Sequence, residues 1–178
     1  MGRMAEMQEL LEKPLSGEEL GARYRALCED PCYANIPGKI ELDVWGRMLM
    51  SPASSYHTAL QAELVTRLKV LGGRVFVEAG VVTDAGILVP DVSWASDDFM
   101  RLHGFETPYQ RAHDICIEVV SPSNSRKEIR EKIAAYIAAG AMEVWLVYPT
   151  SKRYEFFNGT GLSTASRYPV DPVGIFNL

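Results

Sequence analysis

No stretch of this chain is apolar over the roughly 20 residues that a helix needs to cross a bilayer, so no membrane span is expected. Cysteine is scarce. The three present, Cys28, Cys32 and Cys116, cannot all pair, and no second Cys or His pair at ligand spacing accompanies Cys28 and Cys32. Ordinary thiols are therefore expected, not a disulfide scaffold or a zinc site. The opening MGRMAEMQELLEKPL is charged and lacks the apolar segment of a secretory signal, which makes a reducing cytoplasm the expected compartment. Positive charge is not in excess either. A net charge of -5 argues against a protein that coats nucleic acid through bulk electrostatics, while leaving room for a local basic patch. Repeats, low-complexity tracts and linker-like stretches are absent, so residues 1–178 are expected to form one domain.

What is present reads as alternating strands and helices. Ser16-Gly17-Glu18-Glu19 has capping-box form, and a helix follows to about Cys28; Pro31 and Pro37 bracket a loop. Lys39–Val44 and Arg47–Met50 form a hairpin about Trp45-Gly46. Leu60, Leu64, Leu68 and Leu71 recur at helical period over Tyr56–Leu71, with Ser54 or Ser55 as cap and Gly72-Gly73 as stop. Val75–Val77, Gly80–Thr83 and Ile87–Ser96 read as strands, and Asp97–Arg111 as a loop or short helix. Asp114–Val120 has the near-continuous apolar pattern of a strand buried on both faces. A helix carrying Ile129, Ile133, Tyr136 and Ile137 on one stripe follows and stops at Gly140. Val144–Tyr148 returns as a parallel neighbour of Asp114–Val120, and Tyr154–Phe157 with Asn158-Gly159 opens a last hairpin. The class is α/β: a mixed central sheet flanked by helices, with an N-terminal helix and hairpin.

Two carboxylates break this pattern. Glu118 interrupts Ile115-Cys116-Ile117 and Val119-Val120, and a buried ionised carboxylate is costly unless it is paired, hydrogen-bonded or bound to a cation. Asp91 follows Pro90 inside the oily Ile87–Ser96 segment, where proline cannot donate to a ladder and must bend the strand. Carboxylates from two adjacent strands, joined by the backbone carbonyl of Val119, are the hard ligands that Mg²⁺ or Mn²⁺ prefers. Such an ion activates water and stabilises charge on a phosphodiester. An amine is at hand, because Lys132 lies about 40° from both Glu128 and Tyr136 at the margin of the apolar stripe, where it can orient or deprotonate that water. Arg126, Lys127 and Arg130 add a basic cluster on the same first turns.

Each residue also has a plainer reading. Asp91 can serve a turn, and Glu118 can pair with Arg111 or Arg130. Glu128 completes a capping box with Ser125 and needs no further role. Lys132 can be a solvated helix lysine, Tyr136 and Trp145 core aromatics, and His57 a capping or packing residue.

Taken together, Pro90-Asp91, Glu118-Val119-Val120-Ser121-Pro122-Ser123, the four-residue steps Glu128, Lys132, Tyr136, Gly140, and Glu143-Val144-Trp145 resemble the bacterial putative restriction endonuclease family, a branch of the PD-(D/E)XK nucleases. Glu41-Leu42 through Gly46, Met50-Ser51-Pro52 and His57 fit the same family, so the resemblance covers most of Glu41 to Pro149. It implies a restriction-endonuclease-like core in which Asp91 and Glu118 hold Mg²⁺ or Mn²⁺ and DNA is the substrate. One position departs from the superfamily: the lysine two residues after the strand glutamate is replaced by Val120, and the resemblance places that lysine on the following helix, at Lys132. A homodimer would suit a protein that cuts two strands related by a two-fold axis. The alternative is a nuclease-fold module that binds DNA or a protein partner without cutting.

Overall fold

The Ile87–Ser96 segment is not one strand but two, in two different sheets, and Pro90 marks the crossing. The computed structural model describes residues 13–33, 38–51, 53–170 and 174–177, so the opening residues 1–12, Pro37 of the expected loop and Pro52 lie outside the described residues. Strand β1 (Lys39–Leu42) pairs antiparallel with β2 (Met48–Ser51), as the hairpin pattern requires. Further along, β3 (Arg74–Val77) precedes β4 (Val81–Thr83), β5 (Gly86–Leu88) and β6 (Val92–Ala95). β5 joins the first sheet in the order β2-β1-β5-β4, whereas β6 joins the second, β10-β9-β8-β7-β6-β3. In that second sheet β7 is Ile115–Val119, β8 Glu143–Tyr148, β9 Arg153–Asn158 and β10 Gly161–Ser163. The expected parallel pair is there: Ile115 stands opposite Glu143 and Val119 opposite Val147, and the other strand pairs of this sheet among the described residues are antiparallel. The mixed α/β class stands, with two sheets where the pattern suggests one.

Helix boundaries follow the caps. Helix α1 (Gly17–Glu29) starts at Ser16, whose hydroxyl accepts from the Glu19 N–H while Glu19 returns to the Ser16 N–H. Helix α2 (Ser55–Leu68) is capped by Ser54 and tightens into a 3₁₀ turn, Lys69–Leu71, before Gly72. The polar segment after β6 contains the short helix α3 (Asp97–His103). Helix α4 (Arg126–Ala138) is capped by the Ser125–Glu128 box, so the plain reading of Glu128 describes its contacts.

Alternation along β7 sorts its side chains between two cores. Ile115, Ile117 and Val119 pack with Leu60, Leu64 and Leu68 of α2, each leucine at most 1% exposed and worth roughly 2 kcal/mol of burial. Cys116 faces the other way, into a core with Leu146, Val81 and the α4 residues Ala135 and Tyr136. Helix α1 closes the far side of the smaller sheet through Leu20, Tyr24, Leu42 and Ile87. Glu118 therefore points into the layer between the six-stranded sheet and α4. All three thiols are free, with Cys28 and Cys32 exposed. Among the described residues no helix is long and apolar enough to cross a membrane.

Candidate active site

Sheet register brings Asp91 and Glu118 together. β6 and β7 run antiparallel with Val92 opposite Ile117, so the next pair outward is Asp91 and Glu118. The bend at Pro90 ends the ladder there and frees the Asp91 side chain to turn toward its neighbour, at 2% exposure against 8% for Glu118. Between the two carboxylates stands an amine. The Lys39 ammonium donates to Asp91 Oδ1 at 2.9 Å, to Glu118 Oε2 at 3.1 Å and to the Val89 carbonyl at 2.8 Å.

A third carboxylate belongs to the cluster. Glu41 lies two residues after Lys39 on β1, hence on the same face, and its Oε1 accepts from Lys132 Nζ at 2.8 Å and from the Val89 N–H at 2.9 Å. Lys132 also donates to Glu118 Oε1 at 3.2 Å, and the Tyr136 hydroxyl, one turn further along α4, donates to the same oxygen at 2.7 Å. Asp91 is held from its other side, where Oδ2 accepts the Val119 N–H at 2.7 Å. His57 Nε2 lies 3.3 Å from Asp91 Oδ1, and the Gln61 amide reaches the Asp91 carbonyl at 3.4 Å.

These contacts set the charges. Burial alone would raise the Asp91 carboxyl, but the His57 hydrogen bond and the Lys39 ammonium reverse that and hold it at about 2. Burial would lower the Lys39 ammonium, yet Glu118, Asp91 and Glu41 together outweigh it and keep the group above its ordinary value. Lys132 is raised in the same way, burial opposing and Glu118 and Glu41 prevailing over the repulsion of Lys39. Burial and the adjacent Glu118 push the Tyr136 hydroxyl well up, so it remains a donor. The cluster opens on a groove of about 580 Å³ bordered by His57, Ser123 and Asn124 as well as by Asp91, Glu118 and Lys132.

Of the residues singled out in the sequence, Asp91, Glu118 and Lys132 thus meet in one place; Val119 reaches them through its N–H on Asp91 Oδ2, while the carbonyl at the Lys39 ammonium is that of Val89. The partners of Glu118 are two lysines and a tyrosine in place of an arginine. Lys39 is not assigned to the site from sequence, and Glu41, His57 and Tyr136 stand there only within the family pattern, without a role at the site. For Glu41 the criterion that found Glu118 would have served, since Ile40-Glu41-Leu42 is again a carboxylate in an oily strand. Arg126, Lys127 and Arg130 are exposed on the first turns of α4.

A divalent ion fits the donor chemistry of this place better than it fits the arrangement as it stands. Among the described residues no group of three or more His, Cys, Asp or Glu is set to hold a metal ion. Two carboxylate oxygens and a carbonyl oxygen nevertheless surround one point that already carries a positive group, the Lys39 ammonium standing in for a cation. Such hard oxygens are what Mg²⁺ and Mn²⁺ take as ligands.

Comparison with solved structures finds a crystal structure titled as a putative nuclease belonging to DUF820 from Anabaena variabilis ATCC 29413. It is 20% identical, with a TM-score of 0.57, over 74% of this chain and 78% of that one. The two share the fold. No curated protein matches the sequence. Residues 22–171 match the family model Uma2, described as "Putative restriction endonuclease", a span reaching beyond Glu41–Pro149 on both sides. The chain belongs to this restriction endonuclease family.

Proposed function

We propose that this chain is a metal-dependent DNA endonuclease, one domain acting as a homodimer in the cytoplasm. Family membership supports a nuclease in general. The observation that carries the finer reading is the convergence of Asp91 and Glu118 on a single cation-bearing point with the Lys132 amine beside it. Asp91 and Glu118 would hold Mg²⁺ or Mn²⁺, and the backbone oxygen beside them at the Lys39 ammonium is the Val89 carbonyl, in place of the Val119 carbonyl expected from the sequence. The bound ion supplies water activation and stabilisation of the charge that develops on the phosphodiester.

The chain's own residues do the positioning. Lys132, fixed by Glu41, presents N–H groups that orient the attacking water at the edge of the groove. Tyr136 and the Val119 N–H each engage one oxygen of the carboxylates and so restrict their rotation. His57, beside Asp91 at the groove wall, can receive or return a proton there. A second reading, a nuclease-fold module that binds DNA or a protein without cutting, is favoured by one observation, the ammonium between the carboxylates. Incubation of supercoiled plasmid with the purified chain and Mg²⁺ or Mn²⁺ decides between them. Cleavage that disappears in Asp91→Ala and Glu118→Ala is the expected result; an inactive wild type, or an Asp91→Ala variant of equal activity, overturns the enzyme.

A further inference from the structure

The reading of Asp91 and Glu118 as metal ligands leaves Lys39 unexplained, because its amine stands where the ion would. We propose that Lys39 is an exchangeable counter-cation: it holds the two carboxylates together in the metal-free chain and withdraws into an adjoining cavity when a divalent ion binds. This rests on the metal-site reading above. Three features of the site carry it.

The first is which atoms Lys39 occupies. It takes Asp91 Oδ1, Glu118 Oε2 and the Val89 carbonyl, whereas the opposite oxygens are fixed by others, Asp91 Oδ2 by the Val119 N–H and Glu118 Oε1 by Lys132 and Tyr136. Departure of Lys39 would expose a set of hard oxygens on carboxylates that remain anchored.

Charge is the second. Asp91, Glu118 and Glu41 face Lys39 and Lys132, which leaves one negative charge in the inner cluster, His57 being charged only if protonated. Exchanging one ammonium for a divalent ion cancels that excess. Keeping both lysines beside the ion would turn it positive.

The third is a destination. Lys39 borders not only the groove but a second cavity of about 190 Å³, lined also by Tyr24, Tyr33 and Glu78. Glu78 offers a carboxylate to receive the ammonium, and a four-carbon stem with a compact head is the side chain suited to such a swing.

Reductive methylation of the full-length chain, read by peptide mass spectrometry with and without Mn²⁺, tests the exchange directly. Lys39 should be protected without metal and labelled at saturating Mn²⁺. Titration calorimetry gives the second measurement: Lys39→Met should bind Mn²⁺ on the order of tenfold tighter, since a like charge at contact distance has been removed. The double variant Lys39→Met/Asp91→Asn should lose that gain. The idea is overturned if Mn²⁺ raises the melting temperature of the wild type while Lys39 stays protected, or if Lys39→Met binds no tighter. Should Lys39→Met fail to fold, labelling of the wild type decides alone. A chain that exchanges Lys39 for Mn²⁺ yet leaves plasmid intact retains this inference and loses the nuclease reading.

Discussion

His113 shows what burial does to a single titratable residue in this chain. Its ring is fully buried, with Nδ1 2.8 Å from Ser93 Oγ, a stacked Phe76 at 4.6 Å between centroids, and no hydrogen-bond partner for Nε2 among the described residues. Burial, with a smaller contribution from His103, pushes its pKa down from 6.5 to about 4. The unfolded chain takes up this proton as pH falls through its ordinary value, while the folded chain refuses it until about 4, so stability is lost across that window. Between pH 7 and pH 5 the loss is about 2 kcal/mol. Urea unfolding at the two pH values checks it, and His113→Gln should flatten that part of the profile; an unchanged slope sinks the assignment. Tyr136→Phe is a second residue-scale case, removing a 2.7 Å hydrogen bond to buried Glu118 and costing about 2 kcal/mol in thermal or urea unfolding. Legibility at this scale follows the cost of burial. Asp91 and Glu118 stand out because a carboxylate in an oily strand demands a partner. Lys39 opens a strand, where lysine is ordinary, and His57 reaches Asp91 across a sequence separation that no local pattern encodes.

Among the elements, the smaller sheet is joined between β1 and β5 by a short contact, whose one paired register position among the described residues is Leu42 opposite Ile87. That contact seats Lys39 and Glu41 against the bend at Val89, which bonds to both. Gly86 makes it possible. Its φ is +118°, and a Cβ there would run into the Leu42 carbonyl oxygen. Gly86→Ala should therefore cost about 3 kcal/mol, combining backbone strain with a clash against main chain. It should also loosen the grip of β1 on the site, seen as faster amide exchange at Leu42 and Ile87 than global destabilisation explains. Equal acceleration across β7 and β8 would mean that the contact is not a local hinge point. The pattern of apolar residues reads Ile87–Ser96 as a single strand and does not show that it splits into β5 and β6 in different sheets, because both are buried on both faces and alternation cannot sort them. Pro90 is the visible sign of the break. The β7, α4, β8 unit is legible in full, since a strand, a capped amphipathic helix and a second buried strand allow one short-range arrangement.

For the molecule as a whole, a net charge of -5 means that DNA is repelled at long range, so any attraction must come from a local surface. The exposed face of α4 supplies it. Arg126, Lys127 and Arg130 are all exposed there, just after Ser123 and Asn124 at the groove wall, and only partly engaged: Arg130 Nε donates to the Arg126 carbonyl, and Lys127 is 3.6 Å from the exposed Glu131. If these three cations carry the phosphate contacts, the logarithm of DNA affinity should fall with the logarithm of salt at a slope no steeper than about -3, from roughly 0.9 counterion released per phosphate. Measured by fluorescence anisotropy in EDTA, replacement of all three by alanine should weaken binding equally for unrelated sequences and bring the slope near zero. Folding should be unaffected, since none of the three is buried. A slope that survives the triple substitution would move the DNA path away from the exposed face of α4.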